Sequence, residues 1–124
     1  MILSKGIAEA TGSKPNAVKE NCKKKCNGDY GDYAELCKKR QKQSFMKPKI
    51  LTCQNVFRKL KNITEISGNK AQERKAGIIK ELLVNCSQEN EPRFLVRSLE
   101  GKLRIQLQHA TLLQALAEAS FSHF

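Results

Sequence analysis

Arg93-Phe94-Leu95-Val96-Arg97-Ser98-Leu99-Glu100-Gly101-Lys102-Leu103-Arg104-Ile105-Gln106-Leu107 is the stretch from which the fold of this chain can be read. Leu95 and Leu99 stand one helical turn apart, so they share a face of a helix that Gly101 ends, and Leu103 and Leu107 repeat the spacing beyond it. Arg93, Arg97, Lys102 and Arg104 are left over for solvent or phosphate. A glycine at a helix end also lets a ligand come close to main-chain N–H groups. The expected unit is a helix, a glycine elbow carrying two cations and a second apolar helix, arranged to hold a polyanion.

The same period of three to four residues governs the apolar positions on either side and predicts an all-α domain with helix-turn-helix corners, a single unit spanning 1–124. Leu3, Ile7 and Ala10 mark a first helix stopped at Thr11-Gly12. Ser13 is placed to cap the next, with Pro15 in its first turn and Val18 and Cys22 on its apolar side. Asn27-Gly28-Asp29-Tyr30-Gly31-Asp32 reads as a turn, and Asp32 as the cap of a helix through Tyr33, Leu36 and Cys37. Periodicity fails from Lys38 to Lys49, where Pro48 and accumulated basic residues indicate a loop. Thr52 then caps a helix bearing Val56, Phe57, Leu60 and Ile63, ended by Ser67-Gly68. The next runs from about Asn69 to Cys86 with Ile78, Ile79, Leu82 and Leu83 inward. Pro92 opens the helix that Gly101 closes, and Leu112, Leu113, Leu116 and Ala117 form the apolar side of a last one.

Ile7-Ala8-Glu9-Ala10-Thr11-Gly12-Ser13-Lys14 and Ile63-Thr64-Glu65-Ile66-Ser67-Gly68-Asn69-Lys70 share the pattern Ile-x-Glu-x-Thr/Ser-Gly-x-Lys. Chance and duplication both account for so short a match. If it is a repeat, Gly12 and Gly68 are corners that offer unpaired N–H groups and a lysine to phosphate.

Composition points to the same kind of ligand. Lys and Arg number 23 against 12 Asp and Glu in 124 residues, a formal charge of +11. That excess favours nucleic acid or an anionic membrane surface. There is no run of about 18 apolar residues and no leader with a small-residue cleavage site, so a soluble intracellular protein is expected. Five irregularly spaced cysteines, Cys22, Cys26, Cys37, Cys53 and Cys86, describe no disulfide framework. The Cys22/Cys26 pair has no histidine or second close pair to complete a zinc site, so no metal is expected. The sequons at Asn62 and Asn85 need a secretory route and read as accidental. His109 and His123 have no evident nucleophile beside them, Asp29 and Asp32 are explained by turn capping, and neither a phosphate loop ending in Lys-Ser/Thr nor a Lys-x-Asp-Gly nucleotide-attachment motif is present. Such a chain is read as a binder rather than a catalyst.

The segment Arg93 to Arg104 resembles the Arg-Phe-x-x-Arg-Ser-Leu-x-Gly-Arg/Lys-Leu-Arg signature of the N-terminal DNA-binding domain of ATP-dependent DNA ligases, of the eukaryotic replicative DNA ligase I class. Ile7–Gly12, the Gly28–Gly31 turn, Val56–Leu60 and Lys75–Leu82 resemble that domain in the same order, so the similarity covers essentially the whole chain. The resemblance implies a helical domain that grips duplex DNA around a nick through the sugar–phosphate backbone across the minor groove, without reading sequence. It implies work in DNA replication, repair and recombination, a nuclear location, and the remaining ligase domains as further partners. Gly101, Lys102 and Arg104 fall where the family's last corner meets phosphates. Arg97 and Gln106 flank that corner, and Gly12, Gly68, Lys70 and Lys75 occupy comparable earlier positions. The family carries a further glycine where this chain has Gln106, which obstructs a backbone contact there or replaces it with an amide. No cofactor is expected in this chain, since ATP and Mg²⁺ would belong to nucleotidyltransferase and OB-fold domains absent from it. Against the family's length it reads as a partial domain, a fragment or a stand-alone remnant, without ligase activity of its own. A helical protein-interaction adaptor that docks through the apolar last helix stays open as the alternative.

Overall fold

The computed structural model describes residues 2–40 and 49–123, and among them it is all-α. Seven helices follow one another: α1 (Ile2–Thr11), α2 (Pro15–Cys26), α3 (Tyr30–Arg40), α4 (Cys53–Glu65), α5 (Ala71–Asn85), α6 (Glu91–Glu100) and α7 (His109–His123). Most of the loop expected between Lys38 and Lys49 lies outside the described residues, and its first part, Lys38 to Arg40, is instead the last turn of α3.

Two helix pairs make the body, α1 on α5 and α3 on α6, and α2 bridges α1 to α3. Their shared core is built from Leu3, Ile7 and Ala8 of α1, Val18 and Cys22 of α2, Tyr33 and Ala34 of α3, Ile79, Leu82 and Leu83 of α5, and Leu95 and Val96 of α6. A glycine sits in each pair at the closest approach. A Cβ on Gly6 would lie 2.5 Å from Cγ2 of Ile79, and one on Gly31 would lie 2.9 Å from the carbonyl oxygen of Arg93 and 2.8 Å from Cγ of Arg97. The missing side chain is what lets each backbone come so near, a role the sequence reading assigned to neither glycine.

Contacts advance in step along α1 and α5, from Lys5 with Gln72 to Gly6 with Ala76 and Ile79, and farther along Thr11 and Leu83 line one small cleft, so these helices run in the same sense. Along α3 and α6 they run opposite, because Asp29 and Gly31 meet Arg97 while Glu35 meets Arg93. The end of α6 is thereby laid against the start of α3.

The seam between α3 and α6 is charged. Arg97 Nη2 donates to Asp29 Oδ2 and to Asp32 Oδ1, both at 2.9 Å, and Arg93 Nε lies 3.0 Å from Asp32 Oδ1 and 2.6 Å from Glu35 Oε2. Lys39 closes the row on Glu35 at 2.7 Å. The Asp29 and Arg97 side chains are 6% and 13% exposed, so this pair is largely removed from water. Arg93 and Arg97 were expected to face solvent or phosphate. Both are turned onto the acidic face of α3, a correction that comes from Asp29, Asp32 and Glu35 recurring every three residues, the spacing that stacks them along one side of a helix.

Local signals hold in part. Thr52 caps α4 as expected, its Oγ1 accepting from the Asn55 N–H at 3.2 Å. Asp29, not Asp32, caps α3: its Oδ1 accepts from the N–H groups of Gly31 and Asp32 at 2.9 and 3.3 Å. The left-handed residues Asn27 and Gly28 finish the turn early enough for the helix to start at Tyr30. Lys14, not Ser13, is the N-cap residue of α2, and it makes no side-chain capping bond. Phe57 is 70% exposed, and α4 has no buried residue; half-buried Val56 and Ile63 lean on the core, and Lys59 bonds Glu81 of α5 at 2.7 Å. Every described residue from Gly101 onward is exposed, so α7 forms but its leucines do not enter the core.

Gly6→Ala and Gly31→Ala should each destabilise the chain by about 1–3 kcal/mol through overpacking, the second more than the first because it strikes a carbonyl that cannot rotate aside. Gly77→Ala, on an open face of α5, should stabilise by up to about 1 kcal/mol; denaturant titration of the three variants checks the signs. Arg97→Ala should cost about 3 kcal/mol or more, since it strands the buried Asp29 carboxylate, and a melt within error of the parent would contradict the pairing. Burial opposes ionisation of Asp29, but hydrogen bonds from Arg97 and the Asp32 N–H, with the charges of Arg97 and Arg104, outweigh it and hold the carboxyl below its usual range. The Lys39 hydrogen bond, opposed by burial and aided by Arg93, does the same for Glu35. Folded-state values below the unfolded ones of roughly 4 to 4.5 mean stability that is complete above that range and lost progressively below it, as pH falls through the lowered folded-state values. The melting temperature should therefore hold from pH 7 to about 5 and drop below about pH 4, less steeply in Asp29→Asn and in Glu35→Gln.

Candidate nucleic-acid interface

The glycine elbow is a helix C-terminus with its hydrogen bonds made. Gly101 has φ +73°, and its N–H reaches the carbonyls of Arg97 and Ser98; the Lys102 N–H reaches the Arg97 carbonyl at 3.1 Å. This is the closed, left-handed ending that glycine favours. It also corrects the sequence reading, because neither N–H is left for a phosphate. Attraction for an anion at this corner comes from side chains.

Those side chains are placed outward. Lys102 and Arg104 are exposed, and Arg104 stays near the body through Nε, 3.4 Å from Oδ2 of Asp29. Arg104 and Gln106 both adopt left-handed backbone, φ +56° and +57°. At Gln106, where the resemblance leads one to expect glycine, the chain adopts a conformation that glycine takes freely and that costs a residue with a side chain about 1–2 kcal/mol. Arg97, one turn before the elbow, is held by Asp29 and Asp32.

The antiparallel seam brings a further basic group to the same end of the molecule. α2 finishes with Lys23, Lys24 and Lys25, all exposed, and runs into the Asn27–Asp29 turn that Arg104 touches. These lysines occupy the last turn of a formed helix, where they also offset its negative end. The signal that would have found them is the cap: placing Asp29 at the start of α3 fixes the end of α2 beside it.

Among the other candidate positions, Gly12 is set away from this end. Gly12 follows α1 and precedes α2, so the whole of α2, 12 residues or about 18 Å, separates it from the Asn27 turn. Gly68 and Lys70 precede α5, and the common sense of α1 and α5 puts the Gly12 and Gly68 corners at opposite ends of that pair. Both glycines have positive φ, +68° and +85°, and Lys70 is itself left-handed at +57°. Lys75 lies half-buried on α5. Neither α2 nor α5 has a side-chain cap at its first turn. A separate groove between α4 and α5 is lined by Lys49, Arg58 and Lys59, with Lys59 neutralised by Glu81.

Burial pushes the Cys22 thiol up to about 11, with the neighbouring Cys26 adding to it, and burial pushes Cys86 to about 11 as well, so both stay protonated near neutrality. Among the described residues no group of three or more His, Cys, Asp or Glu is placed to hold a metal ion, and no helix is long and apolar enough to cross a membrane.

Comparison with known proteins matches the sequence of this chain to DNA ligases. The profile described as DNA ligase N terminus fits residues 1–117. DNA ligase 1 of Schizosaccharomyces pombe is 44% identical over 119 residues, that of Dictyostelium discoideum 39% over 119, and that of Saccharomyces cerevisiae 38% over 122, covering 96%, 95% and 98% of this chain. The chain spans 15%, 10% and 16% of those relatives' lengths. A profile that takes in all of α1 to α6 and much of α7, and relatives that share more than a third of its residues, show that this chain belongs to the DNA ligase N-terminus family.

Proposed function

We propose that the chain is a non-catalytic DNA-gripping module of an ATP-dependent DNA ligase, one that holds nicked duplex by its sugar–phosphate backbone across the minor groove while other domains seal the nick in replication and repair. The observation that carries this reading is the exposed Lys102–Arg104 pair, set on a closed helix end beside the basic last turn of α2. A net charge of +11 supplies the attraction, and contact with phosphates rather than base edges gives grip without sequence preference. ATP and Mg²⁺ would act in the partner domains of the ligase, and the nucleus is the compartment we propose. Sealing chemistry is assigned to those partners because this chain has no nucleotide-attachment motif.

One observation favours the adaptor reading. Leu112, Leu113 and Leu116 are about half exposed or more on α7, an apolar surface a protein partner would cover. The two readings separate on DNA: an adaptor whose charge only solubilises it does not retard nicked duplex in a gel at moderate salt.

Affinity for nicked duplex, followed over a salt series, should fall linearly on logarithmic axes. Lys102→Ala should flatten that line by about 0.9 and weaken binding equally on unrelated sequences, with no change in melting temperature. An unaltered slope would remove Lys102 from the interface, and no binding at low salt would remove the function.

A further inference from the structure

We infer that Asp29 is a positioning residue for DNA binding, holding Arg104 by the Nε edge of its guanidinium so that the outer Nη1–Nη2 edge is presented to a backbone phosphate. The inference rests on the DNA-binding reading above and assigns a role to a carboxylate within it.

Asp29 divides its two oxygens. Oδ1 caps α3, while Oδ2 faces Arg97 Nη2 at 2.9 Å and Arg104 Nε at 3.4 Å. The carboxylate is 6% exposed and fixed by the helix it caps, so it is a rigid anchor, whereas the Arg104 side chain is 48% exposed. Arg97 lies inside the seam and has both Asp29 and Asp32 as partners. Arg104 lies at the rim. A guanidinium is planar with donors on more than one edge, so one held at Nε still offers a two-pronged edge to a phosphate.

Backbone conformation at Arg104 is a separate observation that agrees. Its φ of +56° is costly for a residue with a side chain, and such conformations persist where surrounding interactions hold them. Beyond Lys102, whose N–H closes α6, each residue up to Gln108 is exposed, so burial does not hold the segment. The ion pair to Asp29 returns it to the helical body. Left-handed backbone and a tethered guanidinium together fix a long side chain before DNA arrives, which lowers the ordering cost on binding.

Simple charge counting gives the opposite sign, since removing an acid beside a phosphate site should strengthen binding. That contrast makes the test decisive. Nicked-duplex affinity is measured for the full chain, Asp29→Asn, Arg104→Ala and the double variant, with thermal melts alongside. Asparagine caps a helix about as well as aspartate, so α3 keeps its start. We expect Asp29→Asn to weaken binding by about threefold to tenfold when Arg104 is present, and to leave it unchanged or slightly stronger when residue 104 is alanine.

Equal weakening in both backgrounds would mean that damage travels through Arg97 and the seam, and it overturns the inference; so does stronger binding by Asp29→Asn with Arg104 in place. Should Asp29→Asn not fold, Arg104→Lys answers the same question with the Asp29–Arg97 pair intact: it keeps the charge but cannot be held at one edge and fork at another. It should lose severalfold in affinity, and parent-like binding overturns the inference. Parent protein that binds while Arg104→Ala binds equally well sinks this assignment alone, whereas a parent that does not bind sinks the DNA-binding reading with it.

Discussion

The ion pair between Asp29 and Arg97 is the constraint on which the arrangement of this molecule depends. Taking two charges out of water is costly, and their attraction offsets that cost only when geometry is good and the remaining donors and acceptors are used. Here they are used. Asp29 caps α3 with one oxygen and meets Arg97 with the other, and Arg97 reaches Asp32 as well. A pair of this kind adds little net stability but penalises other registers heavily, because any slip of α6 along α3 strands a buried charge.

That fixed register has consequences at the molecular surface. It lays the end of α6 on the turn between α2 and α3, so the exposed lysines of α2 and the cations after Gly101 share one end of the domain. Without the seam, Lys23 to Lys25 and Lys102 would be basic residues distant in sequence with no reason to act on one ligand. The close approach of α3 to α6 needs Gly31, just as that of α1 to α5 needs Gly6. Small residues set the spacing and the charged row sets the register.

Much of this was legible from the chain. Gly101 closes α6 with a positive φ, Thr52 caps α4, and Leu95, Ile79, Leu82 and Leu83 are buried, each following from a local or periodic signal. Misreadings share a cause. Arg97 looked free because its partner lies 68 residues away. Phe57 and the leucines of α7 could be read only as apolar faces, because periodicity says which face of a helix is apolar, and not whether another element covers it. The Gly101 elbow looked open to an anion because the sequence shows a glycine without showing that its N–H is already spent on the Arg97 and Ser98 carbonyls.

By itself the sequence determined the helical class, the approximate limits of the helices before α7 other than α3, the strong positive charge and the signature that ties the chain to DNA ligases, since all of these depend on spacings within a few residues or on composition. Tertiary structure decided which cations are consumed inside the fold and which remain outside, which glycines are spacers and which are turns, and which corners lie together. Those outcomes depend on pairings between residues far apart in the chain, and whether a charge is free is a property of its neighbours in space.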